Sequence, residues 1–472
     1  MSRLATQLVA LAVLLVLPTA SRGSAAGMAG APPGVEATPA PLWLSGPDGQ
    51  PRFLLGASYQ GPADRAWRGD YWAWWADDRF DAALVGADFD RAVTGGMNAI
   101  RIFVQRELLQ DVREDVWWKL DAVVEQATRR SLGLIVVFGD YNEPRIERVA
   151  RTSATIAARY RGNPTILGYE IRNEPDFWVI QSARYPTAAR PALQGTLLVK
   201  TYGERAARHY TDAFRQQDEG KRGPLAIPEW FSDEDTYYLH NNWLHSYALS
   251  QEASAWATAN GRADVEFYAA PEAARWSTFL QVLDAGYAAW LEPQVRLIRE
   301  ADPAARITVG HHDALMASLP ANRQLDFVTW HAYPTAGRAG HDFYARTLGA
   351  LRALHPDRPV LLGEFGYRAS ERDERAVAHD EAAVLLRLYA DGFAGGLKWL
   401  LTDTRDGTDS MGAFRMDGSA RPIVDATREI GRLAGAAPSS SMSFAIREDA
   451  RGGLCYAFRS DTVTLAGGAC PP

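Results

Sequence analysis

The stretch ILGYEIRNEP, residues 166–175, decides how this chain is read. It opens as a short apolar run of the kind that forms a buried strand and closes on Asn173, Glu174 and Pro175, so polar chemistry stands at the strand's carboxyl end. Seven further runs share its character: FLLGASY (53–59), NAIRIFV (98–104), LGLIVVFG (132–139), RITVGHH (306–312), DFVTWHAY (326–333), PVLLGEFG (359–366) and GLKWLLTD (396–403). Amphipathic segments separate them, and that alternation marks parallel strands joined by helical crossovers. Eight strand–helix units predict an α/β fold, a (β/α)8 TIM barrel. An open doubly wound sheet shares the alternation, but GASYQGPADRAW after the first run is no glycine-rich phosphate turn.

The surroundings of the barrel follow from composition. The chain has 472 residues with a formal net charge of −7 and no basic patch, which argues against nucleic-acid binding. Residues 1–26 have a basic start, an apolar run and small residues, the layout of a secretory signal peptide, so export with cleavage is expected. The apolar run is shorter than the roughly 20 residues of a membrane span, and no stable membrane insertion is expected. Residues 27–41, rich in Ala, Gly and Pro, read as a flexible lead-in to a barrel over 42–436.

Two regions break the rhythm. Residues 176–275 exceed any ordinary strand-to-helix loop and read as an insertion on the carboxyl-terminal face. It is dense in aromatics: Phe177, Trp178, Tyr202, Trp230, Phe231, Tyr237, Tyr238, Trp243 and Tyr247. Residues 437–472 alternate like short antiparallel strands, a small β-appendage. It holds the chain's only cysteines, Cys455 and Cys470, which in an exported protein read as a local disulfide worth about 3 kcal/mol.

The triplet Asn-Glu-Pro occurs twice, and position separates the copies. Asn142, Glu143 and Pro144 precede an amphipathic helix and look like its start signal. Glu174 directly follows the fourth strand, where side chains converge on the barrel mouth. Glu364 ends the seventh strand after an apolar run, and a charge there is costly without a purpose at the rim. Two glutamates facing each other across a barrel mouth are the constellation for retaining glycoside hydrolysis, with carboxyl groups roughly 5 Å apart.

These motifs resemble the clan A glycoside hydrolases, in particular the cellulase and mannanase family five, over residues 50–435. The resemblance implies Glu174 as acid/base beside Asn173, Glu364 as nucleophile, Arg101 on the second strand, His331 and Tyr333 after the sixth, and Trp399 on the eighth. Chemistry gives each a task. Arg101 and the Tyr333 hydroxyl can hold Glu364 ionised, leaving Glu174 to deliver the proton; Asn173 can donate to the sugar 2-hydroxyl and Trp399 offers a face to a pyranose ring. Packing alternatives remain: Arg101 can neutralise Glu170, His331 can be a core histidine, and Trp399 can be packing in the barrel top.

The chain departs from the family's pattern after the third strand, where Gly139, Asp140 and Tyr141 stand in place of a histidine. Asp140 can bind sugar hydroxyls there, as can His311 or His312 after the fifth strand. Tyr71, Trp72, Trp74 and Trp75 after the first strand suit stacking on sugars or a lid packed on the barrel. The expected partner is a carbohydrate, a β-linked glucan or mannan or shorter glycosides attacked from one end, with no metal or organic cofactor. A carbohydrate-binding barrel without turnover is the alternative from another class. A metal hydrolase is weaker, because no His-x-His ends the first strand.

Overall fold

The computed structural model describes residues 41–63, 65, 73–105, 107–139, 146–175, 233–404, 410–439, 441–448 and 454–468. The expected leader (1–26) and nearly all of the lead-in, together with the first Asn-Glu-Pro, lie outside them. No described helix is long and apolar enough to cross a membrane.

A two-residue hairpin, β1 (Leu44–Ser45) with β2 (Pro51–Arg52), precedes the barrel strands. These are β3 (Leu54–Tyr59), β4 (Ala99–Phe103), β5 (Gly133–Val137), β6 (Ile166–Asn173), β7 (Ile307–His311), β8 (Val328–His331), β9 (Val360–Phe365) and β10 (Gly395–Lys398). They pair in parallel in chain order and β10 closes on β3, so the eight expected strands form one closed barrel. Among the described residues the α-helices are α1 (Ala82–Thr94), α2 (Glu107–Arg113), α3 (Trp118–Thr128), α4 (Ile146–Arg159), α5 (Asp233–Asn260), α6 (Asp264–Phe267), α7 (Ser277–Ala301), α8 (Ala314–Ser318), α9 (Arg338–Leu354), α10 (Glu374–Ala390) and α11 (Ile423–Gly431).

Local chemistry sets the element ends. The Asp81 carboxylate accepts from the N–H groups of Ala83 and Leu84 at the start of α1. Gly96 ends that turn at φ +83°, where a Cβ would lie 2.5 Å from the Thr427 carbonyl oxygen. The described part of 176–275 is helical, α5 and α6 ahead of the barrel helix α7, which packs on α4.

The barrel interior is layered. Leu54, Ala99, Ile135, Leu167, Phe327, Leu361 and Leu397 plug the amino-terminal end together with Leu44 of the hairpin. Above them the lining turns polar, with buried Ser58, Arg101, Glu170, Thr308, Thr329 and His331. Dispersion and burial therefore hold the base, while hydrogen bonds organise the mouth.

The carboxyl-terminal strands β11 (Ser443–Glu448), β12 (Leu454–Arg459) and β13 (Thr464–Gly467) make an antiparallel sheet. Its Phe444 and Phe458 rings sit 6.2 Å apart, and Phe458 lies edge-on to Tyr389 of α10. Cys455 is disulfide-bonded, and Cys470, its expected partner, lies outside the described residues.

On the outer face of the last barrel strand, Lys398 donates to Oε1 of Glu381, and the N–H of Tyr367 donates to the same oxygen at 3.1 Å. Both charged groups are buried, and burial pushes the Glu381 carboxyl up and the Lys398 ammonium down.

Candidate active site

Arg101, fully buried on β4, is the hub of the mouth. Its Nε and Nη2 grip Glu170 at 2.9 and 2.5 Å, Nη2 also donates to Asn173 Oδ1 at 2.6 Å, and Nη1 donates to Ser58 Oγ at 3.2 Å and to Glu364 Oε1. Both readings of Arg101 are therefore realised, since one guanidinium neutralises Glu170 and Glu364 together. Burial pulls its pKa down, but Glu170 and Glu364 outweigh that and raise it, so the cation is fixed.

Glu364, 3% exposed at the end of β9, accepts from Arg101 on Oε1 and from the Tyr333 hydroxyl on Oε2. Burial raises its pKa; His331 and Arg101 pull it down, and Glu174 adds to the rise. The net direction is upward. The expected partners are present, but they do not fully offset burial.

Glu174 stands just beyond β6, where the register with β7 shifts between Glu170 and Asn173. Such an irregularity re-aims strand-end side chains. Its backbone is left-handed at φ +41°, a conformation that costs a residue with a side chain about 1–3 kcal/mol. The N–H of Glu174 donates to the Gly310 carbonyl at 2.8 Å, which holds that turn against β7.

His331 bridges the pair. Its Nδ1 lies 3.1 Å from Glu174 Oε1 and 3.7 Å from Glu364 Oε1, and burial is the main cause lowering its pKa to about 4. The neutral ring can donate to ionised Glu174 or accept from its protonated form, according to tautomer. The ring is seated over two glycines: a Cβ on Gly310 would lie 2.7 Å from His331 Cε1, and one on Gly363 would lie 2.8 Å from its Nε2. One donor atom each from Glu174, His331 and Glu364 falls within 4.8 Å of the others.

Trp399 is half-buried and meets Phe103 edge-on, ring centroids 6.1 Å apart. The Arg101 guanidinium covers the same Phe103 ring at 4.6 Å. Tyr333 remains 44% exposed although its hydroxyl is engaged, so its ring flanks the opening.

Several expected contacts fall elsewhere. His311 is 1% exposed, with Nε2 2.7 Å from the Tyr287 hydroxyl and Nδ1 3.0 Å from the Thr329 carbonyl. It faces α7 and leaves no ring nitrogen for sugar. Burial lowers its pKa to about 3. Trp74 and Trp75 are buried, stacked on each other at 3.7 Å and on Phe80, so they pack as a core and offer no platform. Asp140, Tyr71, Trp72, Phe177, Trp178, Tyr202, Trp230 and Phe231 lie outside the described residues, as do the side chains of Tyr237, Tyr238, Trp243 and Tyr247.

The chemistry on offer is that of two carboxylates in unequal settings. Glu364 is sealed, paired and held by a phenol; Glu174 is 33% exposed in its side chain and leans on a neutral imidazole. A divalent cation fits less well, because Arg101 and Tyr333 already take both Glu364 oxygens and Arg101 sets a fixed positive charge there.

No protein-family model matches the sequence, and no curated protein is significantly similar to it. Solved structures do match in fold. The crystal structure of GH5_18 from Streptomyces cattleya in complex with GlcNAc aligns at 15% identity over 83% of this chain and 83% of that one, with a TM-score of 0.50. A variant of that protein in complex with Manβ1-4GlcNAc aligns at 15% identity over 81% of each chain, with a TM-score of 0.51. At these identities the likeness is one of fold.

Proposed function

We propose that this chain is a retaining β-glycoside hydrolase of the clan A type, with Glu364 as nucleophile and Glu174 as acid/base. The observation that carries the reading is the separation of the two carboxylates, oxygen to oxygen within 4.8 Å. Retaining enzymes hold their carboxyl groups roughly 5 Å apart, while inverting ones leave about 6.5–9.5 Å for a water.

The geometry performs the reaction in two displacements. The Glu364 carboxylate attacks the anomeric carbon as the bond to the leaving oxygen breaks, and Glu174 gives its proton to that oxygen. A glycosyl ester on Glu364 results. Glu174, now ionised, takes a proton from water, whose oxygen attacks the same carbon and releases Glu364 and a sugar of β configuration. Arg101 and Tyr333 keep one Glu364 oxygen each in place, leaving the carboxylate oriented, and Asn173 is held by Arg101 beside the acid/base. Trp399, just past β10 on the strand next to that of Glu364, supplies the apolar face for the ring in transit.

β-Glucans and β-mannans are the substrate class, in an exported protein whose residues 1–26 direct secretion. Manβ1-4GlcNAc joins the panel because a protein of the same fold was crystallised with it. The test is sugar release from β-glucans, β-mannans, Manβ1-4GlcNAc and aryl β-glycosides, with the first-formed anomer followed by proton NMR. Wild type should give the β-anomer, and Glu364→Gln and Glu174→Gln should each lose most of the rate. Release of an initial α-anomer, or variants as active as wild type, would remove the assignment. Metal dependence after chelation would favour a cation-assisted hydrolase instead.

A further inference from the structure

We propose that His312 is a specificity residue for the leaving-group sugar, hydrogen-bonding one of its hydroxyls beside the acid/base; this rests on the hydrolase reading above. Strand geometry places it. Successive side chains alternate across a strand, and along β7 Gly310 faces the barrel interior, where its Cβ would lie 2.3 Å from Glu170 Oε1. His311 points the other way, to Tyr287 of α7. β7 ends at His311, and Asp313 already caps α8, its carboxylate accepting from the N–H of Leu315. His312 is thus the first residue past the strand, at the carboxyl-terminal end of the barrel, and the alternation of Gly310 inward and His311 outward, carried one step on, assigns it to the mouth.

Register agrees. Gly310 pairs with Thr329 and His311 with Trp330; His312 follows the last of these pairs on one strand as His331 follows it on the other, and the two rings are near enough to interact electrostatically. Glu174 is tied to the same strand end by its N–H to the Gly310 carbonyl. His312 is exposed, and none of the described hydrogen bonds uses its ring. In the closed strand order β10-β3-β4-β5-β6-β7-β8-β9, it neighbours the strand of Glu174 and stands apart from those of Glu364 and Trp399. The group that protonates the leaving oxygen must touch the leaving sugar, and a free imidazole next to it meets that sugar's hydroxyls.

The test compares wild type and His312→Ala on two substrates with one glycone: an aryl β-glycoside, which has no leaving sugar, and the matching β-linked disaccharide. The loss in kcat/KM on the disaccharide should exceed that on the aryl glycoside by about tenfold, the size of one hydrogen bond. Transfer of the glycosyl group to an added sugar acceptor should fall relative to hydrolysis, and His312→Asn should restore part of both. Melting temperatures should match, since the side chain is exposed. Equal losses on the two substrates, or no loss on either, would overturn the assignment while leaving the hydrolase reading standing. Wild type that cuts neither substrate would overturn the hydrolase reading first, and this inference with it.

Discussion

Arg101 donates through Nη1 to Oε1 of Glu364, and both side chains are closed to solvent. Taking the cation away leaves Glu364 and Glu170 buried together without a counter-charge. Arg101→Met should therefore destabilise the fold by about 3–5 kcal/mol in urea unfolding, the cost of breaking a buried ion pair from one side. Arg101→Lys keeps the charge but loses the fork that grips Glu170, and should fall between.

Glu364 links activity and stability with opposite signs. Attack needs the carboxylate, so kcat/KM should climb as pH rises through a value above that of an ordinary glutamate. A folded pKa above the unfolded one means the group's contribution to stability is full below the unfolded pKa and is lost as pH rises through the folded one. Glu364→Gln should accordingly be inactive yet melt no lower than wild type near pH 7, measured by calorimetry across pH 5–8. A clear drop in its melting temperature there would contradict burial as the dominant influence.

Three of the four buried histidines among the described residues, those buried near Tyr287, Glu174 and Asp342, show the opposite linkage most strongly. His311 is lowered to about 3, His331 and His341 to about 4, each chiefly by burial. The unfolded chain takes up these protons near pH 6.5, so stability is full above that and falls as pH drops toward 4 and below. Near pH 5, unfolding should absorb about three protons from these groups alone, beyond what the carboxylates exchange. The slope of unfolding free energy against pH reads this directly.

The Lys398–Glu381 pair separates breaking an ion pair from replacing it. Lys398→Met leaves a buried carboxylate with only the Tyr367 N–H and should cost about 3–5 kcal/mol. The double variant Lys398→Met with Glu381→Leu should recover most of that loss. A double variant as unstable as the single one would mean the charges themselves hold the strand ends in place.

Much of this was legible in the sequence because a barrel repeats one signal eight times, and each strand end announces its polar residue against an apolar run. Arg101, Asn173, Glu174, His331, Tyr333 and Glu364 converge as their positions on strands imply. What failed was finer than an element. His311 and His312 differ by one residue, and only the structure shows that His311 is turned to Tyr287 and closed to sugar while His312 is exposed. Trp74 and Trp75 carry the same composition whether they stack on sugar or on Phe80. The hairpin strands Leu44–Ser45 and Pro51–Arg52 are two residues each, below any period, and α5 spreads apolar residues around all its faces, so neither left a pattern to read.

Gly310 and Gly363 give the pocket a floor that cannot be rewritten. The His331 ring already occupies the room their side chains would need, and at Gly363 even a methyl would meet Thr329 Cγ2 at 2.2 Å. At these two places the usable alphabet has a single letter. Anyone retuning this barrel for another sugar must therefore leave the depth of the cavity alone and work at exposed positions such as His312, which no described hydrogen bond ties down, while Tyr333, exposed as its ring is, must stay because its hydroxyl holds Glu364.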